Sequence, residues 1–175
     1  WAVNQRNGER LSSSRAFLQP VAGRPHLEVI TGALTRRVLI GNGRATGIEV
    51  SRGGQVQTIP AAREVILAAG AIGSPHLLML SGIGPGEALR PHGIEVALDL
   101  PGVGENLQDH QDVMLCFSSP SHTLYGMSWR ALPWMLASPF RYLFQRKGPF
   151  TTNTVESGGF VRSRPGLEQP DLQII

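Results

Sequence analysis

The chain has 175 residues, a formal net charge of +3, 41% hydrophobic and 17% charged residues, a balance that suits a folded domain or parts of two and excludes a disordered chain. Its basic residues are scattered arginines, with Lys147 the one lysine, and no basic stripe with interleaved aromatics is present to grip a nucleic acid. The single cysteine, Cys116, excludes an internal disulfide and a thiolate metal cluster; between Leu115 and Phe117 it reads as a small buried hydrophobe.

In chain order, residues up to about Leu18 read as an entry loop and a short helix, with Ser12, Ser13 and Ser14 offering cap hydroxyls before Ala16, Phe17 and Leu18. Four short β-type runs follow at 27–31, 37–40, 45–50 and 55–59. Gly41-Asn42-Gly43 and Gly53-Gly54 supply turn chemistry between them, so the region reads as an antiparallel meander over about 27–59. Val65-Ile66-Leu67-Ala68-Ala69 is a continuous apolar run, the pattern of a strand covered on both faces in an α/β sheet. It ends at Gly70, and Ala69, Gly70, Ala71 and Gly73 are small enough to let a ligand or another backbone approach closely. Ser74 as N-cap and Pro75 at the first helical position then start a helix that Ser81-Gly82 stops, with Leu77, Leu78 and Leu80 burying one face.

A second short helix is expected at 86–89, broken by Pro91, and an extended path resumes at 93–96. Residues 100–108 are too rich in Pro and Gly to be regular. A strand is expected around Val113 to Ser119, followed by a Trp- and Pro-containing helical stretch over 131–144, read as a helix pair, and a break at Gly148-Pro149. That stretch, with Trp129, Trp134, Tyr142, Arg146 and Lys147, offers contact with a membrane interface as the alternative to packing within the protein. No segment approaches the run of apolar residues that a membrane span needs.

Asp109 and His110 invite an acid/base reading, but adjacent side chains in an extended segment point apart, and a hydrogen-bonded corner is the better account. His26, His76, His92 and His122 lack metal-site spacing. No metal site is expected.

The segment Gly70 to Gly84, with its small residues, Ser74-Pro75, Leu77-Leu78 and closing Ser81-Gly82-Ile83-Gly84, resembles the second signature of the glucose-methanol-choline (GMC) family of FAD-dependent oxidoreductases. Leu100-Pro101-Gly102-Val103-Gly104-Glu105-Asn106-Leu107-Gln108-Asp109-His110 is similar to a phrase of its choline dehydrogenase-like branch. Asn7-Gly8-Glu9-Arg10-Leu11-Ser12, Arg24-Pro25-His26-Leu27-Glu28-Val29 and Glu156-Ser157-Gly158-Gly159-Phe160 continue the likeness along the chain. The resemblance implies an internal fragment of a longer protein. It implies an α/β fold, α+β in part: residues 1–110 from a Rossmann-like FAD-binding domain, and residues 111–175 opening a substrate domain that contains an antiparallel sheet. The implied function is oxidation of an alcohol such as choline to an aldehyde by hydride transfer to FAD. Electrons then pass to a quinone-type acceptor or to oxygen. The alternatives are an enzyme for aliphatic or aromatic alcohols and a non-catalytic flavin-fold relic. In the family a strand valine holds the adenine through its backbone N–H and C=O, and the matching position is Val38. Ala69 and Gly70 would border the cofactor, although close packing of helix on strand explains their size equally well. Asn153 and Glu156 match a segment near the active-site cavity, where a carboxylate would attract a cationic substrate, but Glu156 suits an ion pair with Arg162 as well. The dinucleotide loop and the catalytic His are expected outside this segment, so no catalytic residue is assigned. A cytoplasmic or membrane-peripheral location is expected.

Overall fold

A computed structural model of the chain describes residues 4–115, 117–118, 120, 128–151 and 158–174. It divides into two compact units, one of Val29–Met114 and the other of Trp1–Glu28 with Leu115–Ile175.

The first unit is organised by a three-stranded antiparallel meander, β3 (Ala33–Gly41), β4 (Arg44–Arg52) and β5 (Gln55–Pro60), in the order β3-β4-β5; β1 (Gln5–Arg6) and β2 (Glu9–Arg10) lie in the other unit. The hairpin turns are local chemistry. Asn42 and Gly43 adopt φ of 51° and 72°, and Gly53 and Gly54 of 56° and 80°, the left-handed pairs that two-residue turns between twisted strands demand. The strand expected at 27–31 does not form. No neighbour pairs with it among the described residues, and Val29 and Ile30 stay 49% and 38% exposed.

The run at 65–69 is likewise no strand, with Ile66 80% exposed. An apolar run of this kind becomes a buried strand only between pairing neighbours, and none lies beside it among the described residues. Helix α1 spans Gly70–Leu80, five residues longer at its N-terminus than the Ser74-Pro75 pair suggests. The Ser74 hydroxyl still works at that end, accepting the Ala69 N–H at 3.0 Å from inside the helix. Pro75 is carried inside the helix, where it forfeits the bond its N–H would make to the Ala71 carbonyl. Beyond α1, β6 (Ile83–Gly84) pairs in parallel with β7 (Leu98–Asp99), and α2 (Gly86–Leu89) lies between them. A 3-10 turn over Arg90–His92 carries Pro91 and ends at Gly93 with φ 70°. The apolar side chains buried among the described residues are Val38, Val50 and Leu89.

In the second unit β1 (Gln5–Arg6) and β2 (Glu9–Arg10) form a hairpin over Asn7-Gly8. Residues Ser14–Leu18 wind as a π-helix and Gln19–Val21 as a 3-10 turn. Helix α3 is one continuous helix, Leu132–Gln145, not a pair. Pro139 costs it a single bond to the Met135 carbonyl, and one bond is too little to end a 14-residue helix. The helix stops where Arg146 turns left-handed at φ 53°. Glu9 joins the hairpin to that end, pairing with Arg15 at 2.8 Å and Arg146 at 2.9 Å; the Arg146 guanidinium also lies 4.9 Å from the Tyr142 ring centre, and Gln5 donates to the Thr151 carbonyl. The expected strand near 113–119 is absent at its described residues, where Val113, Met114, Leu115 and Phe117 are 73–87% exposed; Cys116 and Ser119 lie outside the described residues. Instead β8 (Gly159–Val161) and β9 (Leu172–Ile174) form an antiparallel pair.

Candidate cofactor site

Strand β3 pairs with β4 on one side, and among the described residues no strand pairs with its other, open edge. In an antiparallel pair, residues alternately point both backbone groups at the partner or both away. The two-residue hairpin closed by Arg52 and Gln55 turns Arg52, Val50 and Ile48 toward β5, and the Ala61 N–H bonded to the Thr46 carbonyl continues that parity. Their β3 partners are Ala33, Thr35 and Val38. These three therefore aim both N–H and C=O at the open edge.

Val38 shows this directly. Its N–H donates at 2.8 Å to the Ser81 hydroxyl at the end of α1, and that hydroxyl donates in turn to the Leu77 carbonyl at 2.5 Å. Two cavities lie beside β3. One, of about 860 Å³, lies between the first half of β3 and one face of α1; Ala33, Thr35, Ala69, Gly73, His76 and Leu77 are among its walls, and Arg36, Arg37 and Glu49 stand at its charged side. The other, about 550 Å³, runs past Leu39, Ile40, Gly82 and Ile94. The first has the size of a small-molecule site, ~300–1,000 Å³, and combines small residues in its wall with the edge-facing backbone of Ala33 and Thr35. That combination suits a planar heterocycle bearing an amino group and a ring nitrogen.

The GMC oxidoreductase family model matches residues 1–112, which contain this whole site. The chain belongs to the GMC oxidoreductase family. It is 45% identical to an alcohol dehydrogenase [acceptor] of Pseudomonas putida over 176 residues, covering 99% of this chain and 32% of that protein. It is 44% identical to an oxygen-dependent choline dehydrogenase of Rhizobium meliloti over 167 residues, covering 95% of this chain and 30% of that protein. Among solved structures, an FAD-dependent oxidoreductase from Chaetomium thermophilum superposes with a TM-score of 0.66 at 29% identity, over 83% of this chain and 26% of that one. The chain thus spans about a third of the length of the curated relatives it matches. The fold is that of the GMC FAD-binding domain, with antiparallel sheets beside its helices, and FAD is the cofactor of the family.

Around this candidate site, Ala69 lines the larger cavity and Val38 the smaller. Gly70 adopts φ +83°, and a Cβ built there would meet nothing within 4 Å among its surroundings; conformation, not close approach, is what requires a glycine. Asn153 and Glu156 lie outside the described residues. At Asp109–His110 the Asp109 carboxylate accepts the His110 N–H at 2.9 Å, a bond between exposed neighbours in the chain. No metal cluster occurs among the described residues. Thr35 is the residue that sequence reasoning missed. Counting back from Val38 by twos reaches Arg36 and Leu34, and only the extra residue at Arg36 brings Thr35 to the edge.

Proposed function

We propose that this chain supplies the adenosine-binding edge of an FAD-dependent oxidoreductase that converts the CH–OH group of an alcohol to a carbonyl. The observation that carries this reading is the unpaired backbone of Thr35 on a cavity walled by Ala33, Ala69 and Gly73. Adenine presents an N6 amino donor and an N1 acceptor, complementary to one backbone C=O and one N–H. Thr35 offers both on the larger cavity, while Val38 lines the smaller one with its N–H held by Ser81 and only its C=O left to offer. Gly70 sets the path of the chain behind Ala69. Residues 1–110 are proposed as part of the FAD-binding domain and 111–175 as the start of the substrate domain.

Bound FAD supplies the hydride acceptor. What this chain does is hold and orient its adenosine end; the base that takes the hydroxyl proton is proposed to come from sequence outside these 175 residues. A choline-like substrate is favoured by the dehydrogenase of R. meliloti, and Asn153 and Glu156 are the proposed contacts to a cationic headgroup. An uncharged alcohol is the second reading, favoured by the P. putida relative. Transfer of electrons to oxygen or to a quinone-type acceptor, and a cytoplasmic or membrane-peripheral location, complete the proposal.

The test uses the full-length protein stripped of flavin. Thr35→Pro removes one N–H and should weaken FAD binding at least tenfold, a loss of ~1.4 kcal/mol, while Thr35→Val keeps the backbone and should leave it within twofold. Titrations by flavin fluorescence that gave equal affinities for both variants would remove Thr35 from the site. Rates with choline against benzyl alcohol decide the substrate class.

A further inference from the structure

The edge just described exists because of an irregularity. The pairing of β3 with β4 slips between Thr35 and Arg37, leaving Arg36 without a partner. A bulge of one residue reverses the alternation beyond it. With regular pairing Arg36 would stand opposite Val50, and Thr35 would turn its N–H and C=O inward to β4. The extra residue is what aims Thr35 at the cavity.

Something must hold that irregularity in place, since a slip of register is otherwise cheap on an edge strand. Successive side chains of a regular strand point to opposite faces, yet Arg36 and Arg37 both reach one carboxylate. Arg37 Nη2 lies 3.1 Å from Glu49 Oε2, and Arg36 Nη1 lies 3.5 Å from Glu49 Oε1. Glu49 is the cross-strand partner of Arg37, and its side chain is only 17% exposed while the two arginines are about half exposed. Its two oxygens can be engaged at once only when the bulge is present. We propose that Glu49 is a positioning residue for the cofactor: it latches the Arg36 bulge and so keeps the Thr35 backbone pair facing the adenine site.

This inference rests on the FAD reading above, and the experiment separates the two. Full-length apoprotein is titrated with FAD and with FMN, which lacks the adenosine half. The wild type is expected to prefer FAD; absence of that preference would fail the FAD reading itself. Glu49→Gln keeps the shape and removes the charge, and should weaken FAD by about fivefold with FMN unchanged within twofold, the scale of two partly exposed ion pairs. Glu49→Asp should recover part of the loss. Arg36→Gln removes the longer arm alone and should shift the FAD-to-FMN ratio the same way, by less. Equal weakening of both flavins in these variants, or a wild-type ratio in all of them, would assign Glu49 to general stability and overturn the latch.

Discussion

Gly70 and Gly82 bracket the same helix but require glycine for different reasons. Gly70 sits at φ +83° with open space where a Cβ would go, so a substitution there meets only backbone strain, about 1–2 kcal/mol for a residue forced left-handed. Gly82 sits at φ +82°, and a Cβ would drive into the Glu95 carbonyl oxygen and lie 3.1 Å from the Ala97 nitrogen. Those groups belong to the crossing that the Gly82 carbonyl holds by accepting the Ala97 and Leu98 N–H groups, so they cannot retreat without loss. Gly70→Ala should therefore cost about 1 kcal/mol and Gly82→Ala about 3. Urea unfolding of the full-length protein checks the order, and a larger loss at Gly70 would mean that its surroundings are filled by something other than the described residues.

At the level of elements, what was readable in the sequence was what local chemistry decides. Asn42-Gly43 and Gly53-Gly54 made the meander legible to within a few residues, and α2 and the irregular stretch at 100–108 followed from short-range Gly and Pro signals. The strand expected at 65–69 failed because its pairing is non-local. The start of α1 was misplaced because the Ser74 hydroxyl caps Ala69 from within the helix, so the Ser-Pro signature marks its second turn. Thr35 was invisible for a subtler reason: a bulge changes backbone parity without changing hydrophobic pattern. The β8–β9 pair offers a test at this scale. Asp171 accepts the Ser163 hydroxyl at 2.6 Å and its N–H at 2.8 Å, and these bonds, the hydroxyl first, hold the Asp171 carboxyl below its ordinary value of 3.8. A depressed carboxylate contributes stability that is present above the ordinary value and is lost as pH falls through the lowered one. Exchange protection of the Ser163 amide should therefore persist from neutral pH to about 4 and fade below, and Asp171→Ala should abolish it throughout. Protection indifferent to this substitution would show that strand pairing alone holds the hairpin.

For the whole molecule, the balance of buried and exposed surface is decisive. The chain exposes 14858 Å², whereas a folded monomer of 18.9 kDa is expected to expose about 8,300 Å². Many large apolar side chains are among the exposed ones. Helix α3 leaves Leu136, Phe140, Leu143 and Phe144 63–82% exposed, Trp129 just before it 89%, and Ile66 and Ile72 in the other unit 80% and 73%. Patches of this extent on a protein in water mark surfaces that bind something, and the chain spans only about a third of its GMC relatives. None of the described helices is long and apolar enough to cross a membrane. Expressed alone, the 175-residue chain should therefore self-associate, bind a hydrophobic dye such as ANS strongly, and fail to retain FAD, since the proposed adenine edge would grip only one end of the cofactor. Light scattering coupled to gel filtration, with absorbance near 450 nm followed in the same run, reads both properties. A monodisperse, dye-silent, yellow monomer would mean that the exposed apolar side chains close on one another in solution and that the cofactor site is complete within these residues.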